Sequence, residues 1–170
     1  MLNKRKQARF LRNQLTDDQY KVFSKIICEK VQQFITDKKV IMLYNAIDKE
    51  VDLSYLNTND KTVLYPRCEG KNMIAVQPKG FFKGSFNVLE PVGEEFNGNI
   101  DAVIVPMCAF DENLNRLGYG KGYYDKFLCD KDALKIGVAF SCQKTEGILR
   151  KETDVLMNII VTENEIIGRT

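Results

Sequence analysis

The ten residues from 116 to 125 read Arg116-Leu117-Gly118-Tyr119-Gly120-Lys121-Gly122-Tyr123-Tyr124-Asp125, and their types and spacing suit one chemistry. Glycines at alternate positions let a backbone adopt positive φ and approach a ligand without Cβ interference. Successive N–H groups in such a turn form an anion-binding concavity, to which Lys121 and Arg116 add positive charge. A polyphosphate fits this set, and Asp125 supplies a hard oxygen for an accompanying magnesium ion. Spacing excludes two other phosphate motifs. A P-loop needs Ser or Thr after its lysine, where this chain has Gly122, and a dinucleotide fingerprint needs glycine at 123, where it has Tyr123. A plain surface turn would have no use for a lysine, an arginine and paired tyrosines together.

The 170 residues include no histidine. Ser-His-Asp and Cys-His hydrolysis, His-ligated metals and imidazole proton shuttles are therefore excluded. Carboxylates, lysine, arginine, tyrosine, backbone amides and a hard metal remain. Cysteines 28, 68, 108, 129 and 142 form no C-x-x-C pair and fit buried thiols in a reducing compartment better than disulfides or zinc. A net charge of +2 makes no electrostatic case for nucleic acid or a membrane as the main partner. No apolar run approaches the ~20 residues of a membrane span, and the basic start lacks the apolar core of a secretory leader. A cytoplasmic, monomeric protein with a single domain over residues 1–170 is the expectation.

These groups must be held by regular elements. The pattern predicts a short helix over Lys4–Leu15 and a second one opened by a Thr16/Gln19 capping box, with Val22, Phe23, Ile26, Ile27, Val31 and Phe34 facing the core. From residue 39 short apolar runs alternate with polar turns. Strands are expected at Val40–Tyr44, at Val63–Tyr65 (stopped by Pro66-Arg67), at Met73–Val76, at Ala102–Val105 (ended by Pro106), at Ile136–Phe140 and at Ile159–Thr162. Leu53–Leu56 and Tyr123–Leu128 read as helical. Residues 78–99 are the least regular and are expected to loop over one end of the sheet. Strands alternating with helices argue for an α/β sheet with helices on its faces. Ligands of open α/β sheets bind at the carboxyl ends of strands, where the glycine-rich run, Pro66-Arg67, and Asn45 with Glu50 all fall.

The run from Pro106 to Asp111 followed by Arg116–Asp125 closely resembles the signature of the 5-formyltetrahydrofolate cyclo-ligase (methenyltetrahydrofolate synthetase) family. Other pieces match in order: Leu15-Thr-Asp-Asp, Tyr44 before Glu50-Val-Asp52, Tyr65-Pro-Arg67, Leu89-Glu-Pro91, Ile136-Gly-Val-Ala-Phe140 before Gln143, and Thr153-Asp-Val155 before Ile160-Val-Thr-Glu163. The resemblance spans nearly the whole chain. It implies a three-layer α/β/α sandwich with a mostly parallel central sheet, like that of the CoA transferases. It also implies ATP-dependent closure of 5-formyltetrahydrofolate to 5,10-methenyltetrahydrofolate, with magnesium required.

Carried over by position, the resemblance assigns Arg116, Leu117, Gly118, Tyr119, Gly120, Lys121, Gly122, Tyr123 and Tyr124 to the nucleotide, with Lys121 and Arg116 catalytic. It assigns Asp125 and Asp154 to magnesium, Glu50 to the folate and Asn45 to a second pterin-side position. Arg5 takes the place of an ATP-contacting arginine. The lysine expected four residues earlier would fall at Met1, and Lys4 is its nearest substitute. Two other readings are a nucleotide-binding module of the same fold without the folate reaction, and an RNA-binding protein using the basic first helix and aromatic residues in 81–86.

Overall fold

The structure, a computed structural model, describes residues 2–84 and 88–168. Met1, where the resemblance expects a lysine, and Phe86 of the aromatic stretch lie outside the described residues. Helices α1 (Leu2–Asn13) and α2 (Asp17–Ile35) lead into β1 (Val40–Met42), a short 3₁₀ helix (Leu53–Tyr55), β2 (Thr62–Glu69) and β3 (Asn72–Val76). There follow β4 (Gly80–Lys83), β5 (Leu89–Val92), β6 (Ala102–Pro106), β7 (Ala109–Phe110), β8 (Arg116–Leu117) and α3 (Tyr123–Leu128). The chain ends with β9 (Leu134–Val138), a second 3₁₀ turn (Ser141–Gln143), β10 (Ile159–Val161) and β11 (Ile166–Gly168).

Seven strands form one sheet in the order β11-β10-β9-β6-β1-β2-β3. The inner five are parallel, and β3 and β11 close the two edges antiparallel. An all-apolar, mostly β-branched strand such as Ala102–Val105 is stable only when both faces are covered, and β6 is buried along that stretch. One face packs on Ile27, Cys28, Val31 and Ile35 of α2, and the other gathers Leu128 of α3 with Met42, Leu64, Val103 and Val105. The α/β class with a mostly parallel sheet between helices is as expected.

The capping box forms as read: Gln19 N donates to Thr16 Oγ1 (3.2 Å) and Thr16 N to Gln19 Oε1 (3.0 Å). The core face of α2 is rotated from the expected one. Its buried stripe is Ser24, Ile27, Cys28, Val31 and Ile35, while Val22 is 54% exposed. Small residues at 24 and 28 let the Asp52 backbone dock: Asp52 N donates to Ser24 Oγ, and Cys28 Sγ donates to Asp52 O. An apolarity count could not anticipate this, since a hydrogen-bonded serine was preferred to a valine.

Two further expectations are corrected. Pro66 does not stop β2, which continues to Glu69. β1 pairs with β2 only as far as Leu64, and beyond it β2 pairs with β3 alone, so the proline lies where one side has no ladder to interrupt. Residues 78–99 contain an antiparallel hairpin, β4 with β5, held by Arg67 Nη1 donating to Gly93 O (2.7 Å) and by an edge-on Tyr65–Phe81 contact.

Candidate active site

The chain leaves β1 toward β2 on one side of the sheet and returns through β6 to β9 and β10 on the other. The switch point therefore lies between β1 and β6, where a ligand crevice forms at the carboxyl ends. The loop after β1 carries Asn45 and Glu50, and the excursion after β6 carries residues 116–125. Helix α1 packs against this excursion, with Ala8 against Ala109, Leu117 and Ile148.

The glycine-rich run is held from α1. Arg5 Nε donates to Gly118 O (2.6 Å), and Lys4 Nζ donates to the carbonyls of Glu146 and Gly147. Gly120 (φ 99°) and Gly122 (φ 70°) occupy the left-handed region, and a Cβ at either would meet nothing closer than 3.9 Å. Glycine is required there by backbone conformation, not by crowding. Lys121 is exposed and makes no hydrogen bond or ion pair among the described residues. The backbone is bent and anchored while its lysine is left available.

Arg116 and Asp125 are brought together with each other. Arg116 Nη2 donates to Asp125 Oδ1 at 2.8 Å, its side chain is 5% exposed, and the guanidinium lies over the Tyr124 ring at 5.6 Å. Asp125 Oδ1 also accepts from the backbone N–H of Val155 (3.1 Å), the residue that follows Asp154 in the chain. Asp154 Oδ2 accepts from Lys151 N (2.8 Å), leaving Oδ1 of Asp154 and Oδ2 of Asp125 without partners among the described residues. No cluster of three or more metal-ligating side chains occurs among the described residues. A pair of carboxylates suits magnesium, which combines one or two of them with water and phosphate oxygens.

Glu50 occupies the opposite environment. It is 4% exposed, with Oε1 accepting from Tyr119 OH (2.9 Å) and Oε2 from Ile47 N (3.1 Å). Burial pushes its carboxyl above the ordinary value, and the Ile47 and Tyr119 donors and the Arg12 charge oppose the shift. Tyr20 OH donates to Glu50 O and Tyr44 OH to Val51 O, so phenols enclose the acid. Burial raises their titration in turn, that of Tyr20 to about 12. Asn45 is not part of this enclosure. It lines a cavity of about 220 Å³ with Tyr44, Leu53 and Tyr65, and its Nδ2 donates to Leu89 O (2.8 Å), tying the hairpin to the end of β1.

Sequence reasoning missed Arg9, Arg12 and Asp48. Arg9 pairs with Asp48 at 2.5 Å and lies over the Tyr119 ring, while the fully buried Arg12 reaches both Asp48 Oδ2 and Tyr119 OH at 3.3 Å. Partial burial works against ionisation of Asp48, but the Arg9 hydrogen bond and the two arginine charges outweigh it and hold its carboxyl below the ordinary value. Asp48 and Lys49 both take positive φ (51° and 55°), a strained turn fastened by Arg9 and by Lys49 Nζ donating to Leu15 O (2.7 Å). The available signal was spacing. Positions 5, 9 and 12 fall on one helical face, too basic a stripe to be expected against the core.

Comparison with known proteins decides the family. A family model described as the 5-formyltetrahydrofolate cyclo-ligase family matches residues 2–163. The chain belongs to that family. It is thus an enzyme, of the ligase class. A 5-formyltetrahydrofolate cyclo-ligase of Mycoplasma pneumoniae is 31% identical over 147 residues, covering 81% of this chain and 82% of the relative. The solution structure of a 5,10-methenyltetrahydrofolate synthetase from Aquifex aeolicus superposes with a TM-score of 0.86 at 32% identity, covering 99% of this chain and 94% of that one. A 5,10-methenyltetrahydrofolate synthetase structure from Mycoplasma pneumoniae follows at 0.79 and 27% identity, over 95% and 97%. No helix of this cyclo-ligase-family chain, among the described residues, is long and apolar enough to cross a membrane.

Proposed function

We propose that the chain catalyses ATP-dependent cyclisation of 5-formyltetrahydrofolate to 5,10-methenyltetrahydrofolate, with release of ADP and phosphate. The observation that carries this reading is the Tyr119–Glu50 hydrogen bond, which joins the glycine-rich loop to a buried carboxylate in one site. The loop takes the triphosphate, and Glu50 accepts from the amine and ring N–H groups of the pterin. The formyl oxygen is a poor leaving group. It attacks the γ-phosphorus of ATP, ADP departs, and the formyl carbon becomes activated as a phosphorylated iminium-like centre. Nitrogen 10 of the folate then attacks that carbon and loses its proton, and phosphate leaves with the former formyl oxygen.

Phosphoryl transfer depends on positioning and charge stabilisation more than on proton relay, so a chain without histidine can perform it. Lys121, exposed and without a partner among the described residues, supplies a charge to the transferring phosphate. Arg5 and Gly118–Tyr124 cradle the nucleotide. Asp125 and Asp154 are the residues that would hold magnesium, which neutralises phosphate charge when bound. Arg116 acts there by fixing Asp125. The test is the absorbance of methenyltetrahydrofolate formed from 5-formyltetrahydrofolate with and without ATP. ATP-dependent product with matching ADP supports the reading, and ATP binding without folate-dependent ADP release would instead identify a nucleotide-binding module.

A further inference from the structure

Arg12 is fully buried, yet among the described residues its Nε and Nη1 have no hydrogen-bond partner and its Nη2 makes two contacts, both of 3.3 Å. A guanidinium in the interior is costly unless a nearby charge compensates it. Two anionic groups are near. Asp48 touches Nη2 but is one-third exposed and is already taken by Arg9. Glu50, the more buried of the two, stands one hydroxyl away: Arg12 Nη2 donates to Tyr119 OH, and Tyr119 OH donates to Glu50 Oε1.

We propose that Arg12 is a positioning residue for Glu50, acting from the first helix through Tyr119 and the Asp48 turn to keep the carboxylate oriented toward the folate. The inference rests on the assignment of Glu50 to the folate. It also gives the first helix a second role. Arg5 fixes the phosphate loop at Gly118, and seven positions on, Arg12 fixes the partner of the folate carboxylate, so one rigid element sets both halves of the site. Every element around Glu50 adds a titratable or charged group: Arg12 and Arg9 from α1, Tyr20 from α2, Tyr44 from the end of β1, Asp48 and Lys49 from its own turn, Tyr119 from the glycine-rich loop and Tyr124 from α3. Of the three cations, Arg12 alone donates to the Tyr119 hydroxyl among the described residues, so its removal takes a buried positive charge from beside the carboxylate and leaves Arg9 paired with Asp48.

The test is calorimetric titration of 5-formyltetrahydrofolate and, separately, of ATP across pH 5 to 9, on the parent chain and on Arg12→Leu, Arg12→Lys, Tyr119→Phe and Glu50→Gln. Arg12→Leu is expected to weaken folate binding about tenfold at pH 7 and to move the acid limb of its pH profile up by about one unit, because an unassisted buried carboxyl protonates sooner. ATP affinity stays within about twofold. Arg12→Lys keeps the charge and moves the limb less. Tyr119→Phe, at a half-exposed position, weakens folate binding with Arg12 intact, and combining it with Arg12→Lys adds less than the sum. An Arg12 variant with lower thermal stability but an unmoved pH profile, or fully additive Tyr119 and Arg12 effects, would overturn the inference while leaving the folate assignment standing. Unchanged folate affinity in Glu50→Gln would overturn that assignment and the inference with it.

Discussion

The glycine-rich loop after β6 keeps Lys121, the cation proposed to meet phosphate, in water, whereas the loop after β1 puts Glu50, the acid proposed to meet the folate, in the interior. Lys121 is exposed on a backbone bent by Gly120 and Gly122, so any attraction it has for an anion is weakened by water until a ligand arrives and excludes solvent. Glu50 is preorganised by Ile47 N, Tyr119 OH and the strained 48–49 turn, at the cost of desolvating its charge. A flexible, highly charged triphosphate suits the first arrangement, and a rigid heterocycle with a fixed donor pattern suits the second.

The largest effect expected from breaking this contrast is on the open side. Lys121→Ala removes a charge aimed at the transferring phosphate and is expected to lower kcat about a hundredfold or more, on the order of 3 kcal/mol, with folate affinity retained. Initial rates under saturating substrates check this, and near-normal turnover would take Lys121 out of catalysis. Next comes the pair that borders the open side. Asp125→Ala leaves the 5%-exposed Arg116 unpartnered and is expected to cost ~1–3 kcal/mol of stability as well as raising the magnesium needed for half-maximal rate. Asp154→Ala, which breaks only a turn bond to Lys151, should raise the magnesium requirement with little change in melting temperature. Equal melting temperatures for the two variants would show that the Arg116 pair does not stabilise the fold.

On the closed side the change has two signs. Glu50→Gln is expected to weaken folate binding about tenfold, since a neutral amide loses charge-assisted bonds, while ATP affinity holds. The same change should raise the melting temperature at pH 7. Burial lifts the folded-state titration of Glu50 above its unfolded value, so its ionisation disfavours the fold once pH rises through that raised value. The disadvantage vanishes below the unfolded value, and the gap between variant and parent closes toward pH 4. Melting curves at the two pH values test the sign, and a variant less stable at pH 7 would deny that desolvation dominates. The smallest effect lies outside both loops. Thr16→Ala removes the α2 cap and should cost about 1 kcal/mol by denaturant titration without altering either affinity.

Much of this was present in the chain before folding. The alternating glycines, the Lys121 and Asp125 spacing and the absence of histidine pointed to phosphate chemistry, because those properties belong to single residues and short backbone segments. The Thr16/Gln19 box and the β6 run were equally legible, being set by bonds within one turn or by apolarity along one strand. The tertiary structure decided what pairs with what. Glu50 meets Tyr119 across 69 positions and Arg12 meets Tyr119 across 107, contacts that exist only because the strand order puts β1 beside β6 and α1 packs on the loops that leave them. It also turned α2 toward Ser24 and gave Arg116 to Asp125. Short-range pattern fixes what a segment can form, and the burial of a charge depends on which distant segment arrives to enclose it.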